Sequence, residues 1–321
     1  MMVPVGLSVG VCSHTGLMRG GNEDDYLLAM PPDGGSAFLV AIADGMGGVA
    51  GGAEASRTAL RALAATMLDG STQPDIDRRM LAGFRSANER VLEAAAAVHA
   101  LRDMGTTLTA LWLDPQGAVF GHIGDSRLYR LRGDECESLT TDHSVKQGKS
   151  LLTRCIGGGQ LECVADDVRL EVVSGDRYVL CTDGVWNVVT PETFAEVSAA
   201  RDAQETAELL VKCALDAGGP DNATVLVVDV IDPNLGTTAP LKQNGHVVQT
   251  GGAGDSPPVL ADAVEVELPR HERPDARSLW PAPVSLRAPM WSWLLLAGAV
   301  ALLLYSGLRW AGFDALTWLA G

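Results

Sequence analysis

The stretch Val40-Ala41-Ile42-Ala43-Asp44-Gly45-Met46-Gly47-Gly48 constrains this chain more than any other. The apolar run from Phe38 to Ala43 predicts a buried strand. An ionised carboxylate at the end of such a strand is costly in a dry interior unless it is paired or bound to metal. The glycines that follow let the chain turn sharply and bring its backbone close to a ligand. Three more acids stand in comparable settings: Asp125 in Gly-His-Ile-Gly-Asp-Ser-Arg, Asp183 in Val-Leu-Cys-Thr-Asp-Gly, and Asp221 in Gly-Pro-Asp-Asn-Ala-Thr. Aspartates gathered from several strand ends make the all-oxygen site that hard Mg or Mn ions prefer.

Charge narrows the partners. The 321 residues carry 40 acidic and 24 basic side chains, a formal charge of -16, and 33 of the acids and 18 of the bases fall within residues 1–232. So acidic a surface lacks the cations that a nucleic-acid backbone requires, which excludes nucleic acid as partner and a metal nuclease as function. The six cysteines show no C-x-x-C spacing and point to a reducing compartment rather than a disulfide framework.

Residues 7–12, 26–29 and 38–43 read as strands, and the N-terminus as a first strand rather than an export signal. Helical spacing covers 53–68, and a second helix capped by Asp75 or Asp77 runs to about Val98. Short strands follow at 108–113, 118–123 and 127–131. Segments 168–173 and 177–182 read as a hairpin across Ser174-Gly175-Asp176. Helices over 191–200 and 203–215 precede a last strand at 223–230. Regular βαβ alternation is absent, so the economical architecture is α+β, antiparallel sheets with helices packed outside. Residues 233–289 hold nine prolines and five glycines without sustained periodicity and read as a disordered linker. Residues 290–308 then give nineteen uncharged residues between Arg287 and Arg309. At helical rise that length matches the bilayer core, so this segment is predicted to span a membrane. Arg273, Arg277 and Arg287 precede the span, which keeps its N-terminal side cytoplasmic and leaves 309–321 as a short extracytoplasmic tail.

Seven motifs occur in one order: Arg19-x-x-Asn22-Glu23-Asp24, Asp44-Gly45-Met46-Gly47-Gly48, Gly105-Thr106-Thr107, Gly124-Asp125-Ser126-Arg127, Asp142-His143-Ser144, Thr182-Asp183-Gly184 and Asp221-Asn222-x-Thr224. Together they resemble the bacterial branch of the metal-dependent serine/threonine protein phosphatases, the PPM or protein phosphatase 2C family, over residues 7–231. The resemblance implies a four-layer sandwich, two central antiparallel β-sheets flanked by helices, with two tightly bound Mn or Mg ions at one end. It makes Asp44 the bridging carboxylate. Asp183 and Asp221 complete one ion, while the Gly45 carbonyl and Glu23, through water, serve the other. Arg19 would clamp the phosphoryl group and Asp24 would orient the attacking water. Asp142 would share a third, weaker ion with Asp183, and Asp125 is read as a structural corner beside the site.

The chain departs from the family's pattern in three places. Met46 stands where relatives outside bacteria carry a histidine proposed as general acid, so another donor or water must protonate the leaving oxygen. Asn187 replaces an aspartate often found near the third ion, which weakens that site. Only eight residues, 145–152, separate Ser144 from Thr153-Arg154-Cys155-Ile156-Gly157, too few for the family's helical flap, so the site should be more open. The resulting expectation is a membrane-tethered phosphatase, its catalytic domain at 1–232 and monomeric. It would act on phosphorylated proteins, among them a cognate Ser/Thr kinase or that kinase's substrates. The alternative is an inactive phosphoprotein-binding scaffold at the membrane.

Overall fold

Alternation along the strand that ends at Asp44 builds the interior. In the computed structural model, which describes residues 2–32, 35–69, 75–147, 149–199 and 201–240, Leu39, Ala41 and Ala43 turn to one side of this strand, and Phe38, Val40 and Ile42 to the other. Successive side chains of a strand point to opposite faces, so a run apolar on both parities must be covered on both. Residues 241–321, including the segment predicted to span a membrane, lie outside the described residues. Among the described residues no helix is long and apolar enough to cross a membrane.

The chain begins with β1 (Met2–Val5), β2 (Leu7–His14), β3 (Asp24–Ala29) and β4 (Phe38–Met46), then α1 (Val49–Leu68) and α2 (Ile76–Ala97). It continues through β5 (Gly105–Thr106), β6 (Leu108–Asp114), β7 (Gly117–Ile123), β8 (Arg127–Arg132) and β9 (Glu135–Ser138). Next come β10 (Ser144–Gln147), β11 (Lys149–Leu152), β12 (Ile156–Gly157), β13 (Asp166–Leu170) and β14 (Arg177–Cys181). Last are α3 (Asp183–Trp186), α4 (Pro191–Ala199), α5 (Ala203–Asp216), β15 (Ala223–Val230) and β16 (Gly236–Pro240). One sheet runs β12-β5-β4-β6-β7-β13 with β3 paired to β4, and the other runs β2-β15-β14-β8-β9. Every strand pairing between described residues is antiparallel.

Three apolar layers hold four layers of structure. Ala55, Ala59, Leu63 and Met67 of α1, with Met80, Phe84 and Val91 of α2, cover the outer face of the first sheet at Leu39, Ala41, Ala110 and Val119. Between the sheets lie Val9, Phe38, Val40, Ile42, Leu111, Phe120, Tyr178, Leu180, Leu226 and Val228. Ala207, Leu210, Val211 and Ala214 of α5 cover Val179, Val225 and Val227 on the outer face of the second sheet. The helix starts follow ordinary capping chemistry: Asp75 accepts from the Asp77 amide, Asp202 from the Glu205 amide, and Thr190 Oγ1 from the Thr193 amide.

Two local expectations are corrected. The segments near 168–173 and 177–182 do not form a hairpin: β13 pairs with β7 in the first sheet, and β14 lies between β8 and β15 in the second. The connection between them crosses from one sheet to the other. The boundary at residue 232 also moves, since β16 lies in the segment assigned to the linker and pairs with β1. The short connection after Ser144 forms a two-stranded hairpin, β10 with β11, and no helix.

Candidate metal centre

The acidic residues come together at one end of the sandwich because the strands deliver them there. Asp24 opens β3 and sits directly opposite Asp44 on β4. Asp183 follows β14 and begins α3, and Asp221 precedes β15, the neighbour of β14. Asp44 and Asp183 lie within electrostatic reach of one another, and each feels the charges of Asp125 and Asp221.

Much of the polar sequence around these acids holds their backbones. Thr107 takes the Asp44 amide on its Oγ1 at 2.9 Å and gives its own amide to the Asp44 carbonyl, while Thr106 Oγ1 donates to that carbonyl. This explains the Gly105-Thr106-Thr107 motif. Asn222 accepts from the Glu23 amide through Oδ1 at 2.8 Å, and its Nδ2 donates to the carbonyls of Thr15 and Gly21. The loop that carries Arg19 and Glu23 is thereby fixed to the start of β15. Glycine is required at Gly45 and Gly52: a Cβ on Gly45 would strike the Gly52 and Glu23 carbonyls, and one on Gly52 would strike the Glu23 carboxylate.

Asp24 is the most informative side chain. It is buried, and its Oδ2 accepts from Thr182 Oγ1 at 2.8 Å and Thr224 Oγ1 at 2.7 Å, which ties β3 of the first sheet to β15 of the second and to the residue that follows β14. Its Oδ1 is buried with no protein partner. Burial pushes the Asp24 carboxyl up to about 7, against the two threonine hydrogen bonds and with help from the charges of Asp183 and Asp221. Burial likewise raises Asp183 to about 6, and holds Asp44 well above the usual carboxylate range, with Asp24 and Asp183 adding to the shift. Burial raises Glu23 too. Crowded, desolvated carboxylates of this kind are neutral, or they are compensated by cations.

Arg19 reaches the same group of acids. Its Nη2 donates to Asp221 Oδ2 at 2.6 Å, yet 47% of its side chain remains open to solvent. Both oxygens of Asp142 are taken by Arg127, Nε at 2.9 Å and Nη2 at 2.8 Å. Asp125 is buried within the electrostatic reach of Asp44 and Asp183. His143 braces the corner before it, accepting the Gly124 amide on Nδ1 and meeting Asp166 through Nε2 at 3.0 Å.

Reading the sequence missed the tasks of Thr182, Thr224 and Asn222. All three stand inside the recognised motifs, but only the fold shows which atoms they hold. The donors fit hard divalent ions in kind, since all are oxygen and one buried oxygen lacks a protein partner. Among the described residues no three or more His, Cys, Asp or Glu side chains converge into a ready cage for a single ion. The fit therefore lies in donor chemistry and burial.

A family model described as Protein phosphatase 2C matches residues 14–216. The chain belongs to the protein phosphatase 2C family. Serine/threonine protein phosphatase PstP of Mycobacterium tuberculosis is 35% identical over 246 residues, which cover 71% of this chain and 46% of that protein. The chain thus spans about half the length of that relative. Protein phosphatase PhpP of Streptococcus pneumoniae is 30% identical, over 70% of this chain and 98% of its own. The crystal structure of the PstP catalytic domain in complex with two manganese ions superposes with a TM-score of 0.60 at 33% identity, covering 72% of this chain and all of that domain. These similarities support a divalent-metal cofactor for this family member.

Proposed function

We propose that the chain hydrolyses phosphoserine and phosphothreonine in proteins with two Mn or Mg ions, and that it opposes a bacterial Ser/Thr kinase. The observation that carries this reading is the convergence of Asp24, Asp44, Asp183 and Asp221 at one sandwich end, with the carboxyls of Asp24, Asp44 and Asp183 shifted upward. Asp44, Asp183 and Asp221, with the Gly45 carbonyl and Glu23, are the residues that would hold the ions. When bound, such ions acidify water and neutralise phosphoryl charge. The chain's own residues do the rest. Asp24 Oδ1, free of protein donors, accepts a hydrogen bond from the attacking water and orients it, with Oδ2 anchored by two threonines. Arg19 turns its planar fork from Asp221 to the phosphoryl oxygens. Met46 donates no proton, so another donor or water protonates the leaving oxygen.

For the third, weaker ion, Asp142 and Asp125 compete as partners of Asp183. Asp142 reaches an ion only by giving up its fork to Arg127, whereas Asp125 already lies beside Asp183 electrostatically. We assign the third ion to Asp183 with Asp125.

Replacing Arg19 with alanine tests the phosphoryl clamp. Hydrogen bonds to charged groups contribute ~1.5–3 kcal/mol, so Arg19→Ala should lower kcat/KM by about 10- to 100-fold. Calorimetry should show Mn binding retained, because the substitution also frees Asp221. Loss of ion binding in this variant would place Arg19 in the scaffold instead.

Membrane attachment through residues 290–308, with the catalytic domain cytoplasmic, rests on sequence: nineteen uncharged residues flanked by arginines, with more arginines on the N-terminal side. The full chain should remain in the membrane fraction after a carbonate wash, and protease added to intact spheroplasts should spare the catalytic domain. Recovery in the soluble fraction would remove the anchor, and digestion from outside would reverse the orientation.

A further inference from the structure

Arg127 sits in a stack that ties together α3, the Asp125 corner and the segment of Asp142. Its guanidinium lies over the Trp186 ring, 3.6 Å from the centroid. The same group forks both oxygens of Asp142, and its Nη1 donates to Tyr129 Oη at 3.1 Å. Trp186 in turn donates its indole Nε1 to the Asp125 carbonyl at 2.9 Å. Trp186 is the last residue of α3, the single-turn helix whose first residue is Asp183. The Asn187 amide closes that turn on the Asp183 carbonyl at 2.9 Å.

Each contact limits a different freedom. A helix of one turn has too few internal hydrogen bonds to hold its own shape, so α3 depends on what packs against it. The stacked guanidinium fixes the plane of the indole, and the indole hydrogen bond fixes the distance from α3 to the Gly124-Asp125-Ser126 corner. The Asp142 fork fixes the guanidinium itself, a planar bidentate geometry that lysine cannot reproduce. Arg127, Trp186 and Asp142 thus join the segment that carries Asp183 to the segment that carries Asp125.

We propose that Arg127 and Trp186 are positioning residues that set the separation of Asp183 and Asp125, and so the affinity of the metal centre for divalent ions. Asp142 acts through Arg127. This inference rests on the metal-centre reading above and is tested by ion binding, independently of turnover.

The experiment is calorimetric titration of the purified full chain with MnCl2, beside thermal melts of the metal-free proteins. Groups that orient metal ligands typically change affinity by ~10- to 100-fold when removed. Arg127→Lys, which keeps the charge and loses fork and stack, should weaken at least one Mn2+ binding step by about tenfold or more. Trp186→Phe keeps an aromatic face for the guanidinium and loses only the indole donor, so it should lie between parent and Arg127→Lys. Asp142→Asn should weaken Mn2+ in the same step as Arg127→Lys, and combining the two should add little. A merely structural role would lower the melting temperature and leave Mn2+ affinity within twofold of the parent; that result, in folded Arg127→Lys or in the milder Trp186→Phe, overturns the proposal. A parent chain that binds no Mn2+ would remove the metal centre itself, and the positioning role with it.

Discussion

Asp44→Asn should abolish detectable phosphatase turnover, a loss of at least about a thousandfold, while the domain stays folded. The side chain stands opposite Asp24 across the β3–β4 pair and within electrostatic reach of Asp183. The amide is nearly the same shape, and the backbone contacts that fix this position come from Thr106 and Thr107, which the substitution does not touch. What disappears is one negative charge from the acidic group that would hold the cations. A second consequence follows from the same charge. In metal-free protein the acidic group is repulsive, so Asp44→Asn should melt at or above the parent temperature at pH 8. A lower melting temperature together with full activity would show that Asp44 is a structural residue.

Removing divalent ions should make stability strongly dependent on pH. Asp183 titrates at about 6 and Asp24 at about 7 in the folded chain, with Asp44 also well above its ordinary value, whereas an unfolded aspartate titrates near ~3.9. The folded state therefore binds more protons than the unfolded state across that interval. Stability is greatest below the unfolded value and is lost as pH rises through the folded values. Chelated protein should melt at progressively lower temperature from about pH 5 to about pH 8. Mn2+ competes with protons for the same oxygens and binds only the folded form. At a hundredfold excess over its dissociation constant it should restore ~2.7 kcal/mol, or about 5–10 °C for a domain of this size, and at one fixed Mn2+ concentration the gain should be larger at pH 8 than at pH 5.5. A flat pH profile in chelator would mean that the carboxylates are compensated by groups of the protein itself.

Elements whose signal is local were legible before the fold was known. The run from Phe38 to Ala43 announces a strand covered on both faces, and the spacing of Met80, Phe84 and Val91 announces α2. The order of the acidic motifs likewise locates the end of the sandwich where Asp24, Asp44, Asp183 and Asp221 meet. Partner choice was not legible. Nothing in residues 166–182 says that β13 joins β7 while β14 joins β8 and β15, because period-two alternation is blind to the strand on the other side of the ladder. The same blindness affected Asp125 and Asp142. Each is a lone acid in a turn, and only the fold delivers Arg127 to Asp142 and brings Asp125 near Asp183. Thr182 and Thr224 were visible as motif letters, but their shared acceptor, Asp24, lies more than 150 residues away along the chain. β16 escaped notice because a short strand in a Pro/Gly-rich stretch has no pattern of its own and is defined by β1.

The distinction between an enzyme and a binding scaffold is drawn by release of inorganic phosphate from phosphoserine and phosphothreonine peptides by the full chain in millimolar MnCl2. Metal-dependent release is expected, halted by chelator, restored by added Mn2+ and absent in Asp44→Asn. A folded chain that binds Mn2+ yet releases no phosphate with either Mn2+ or Mg2+ would contradict the phosphatase assignment and favour the scaffold.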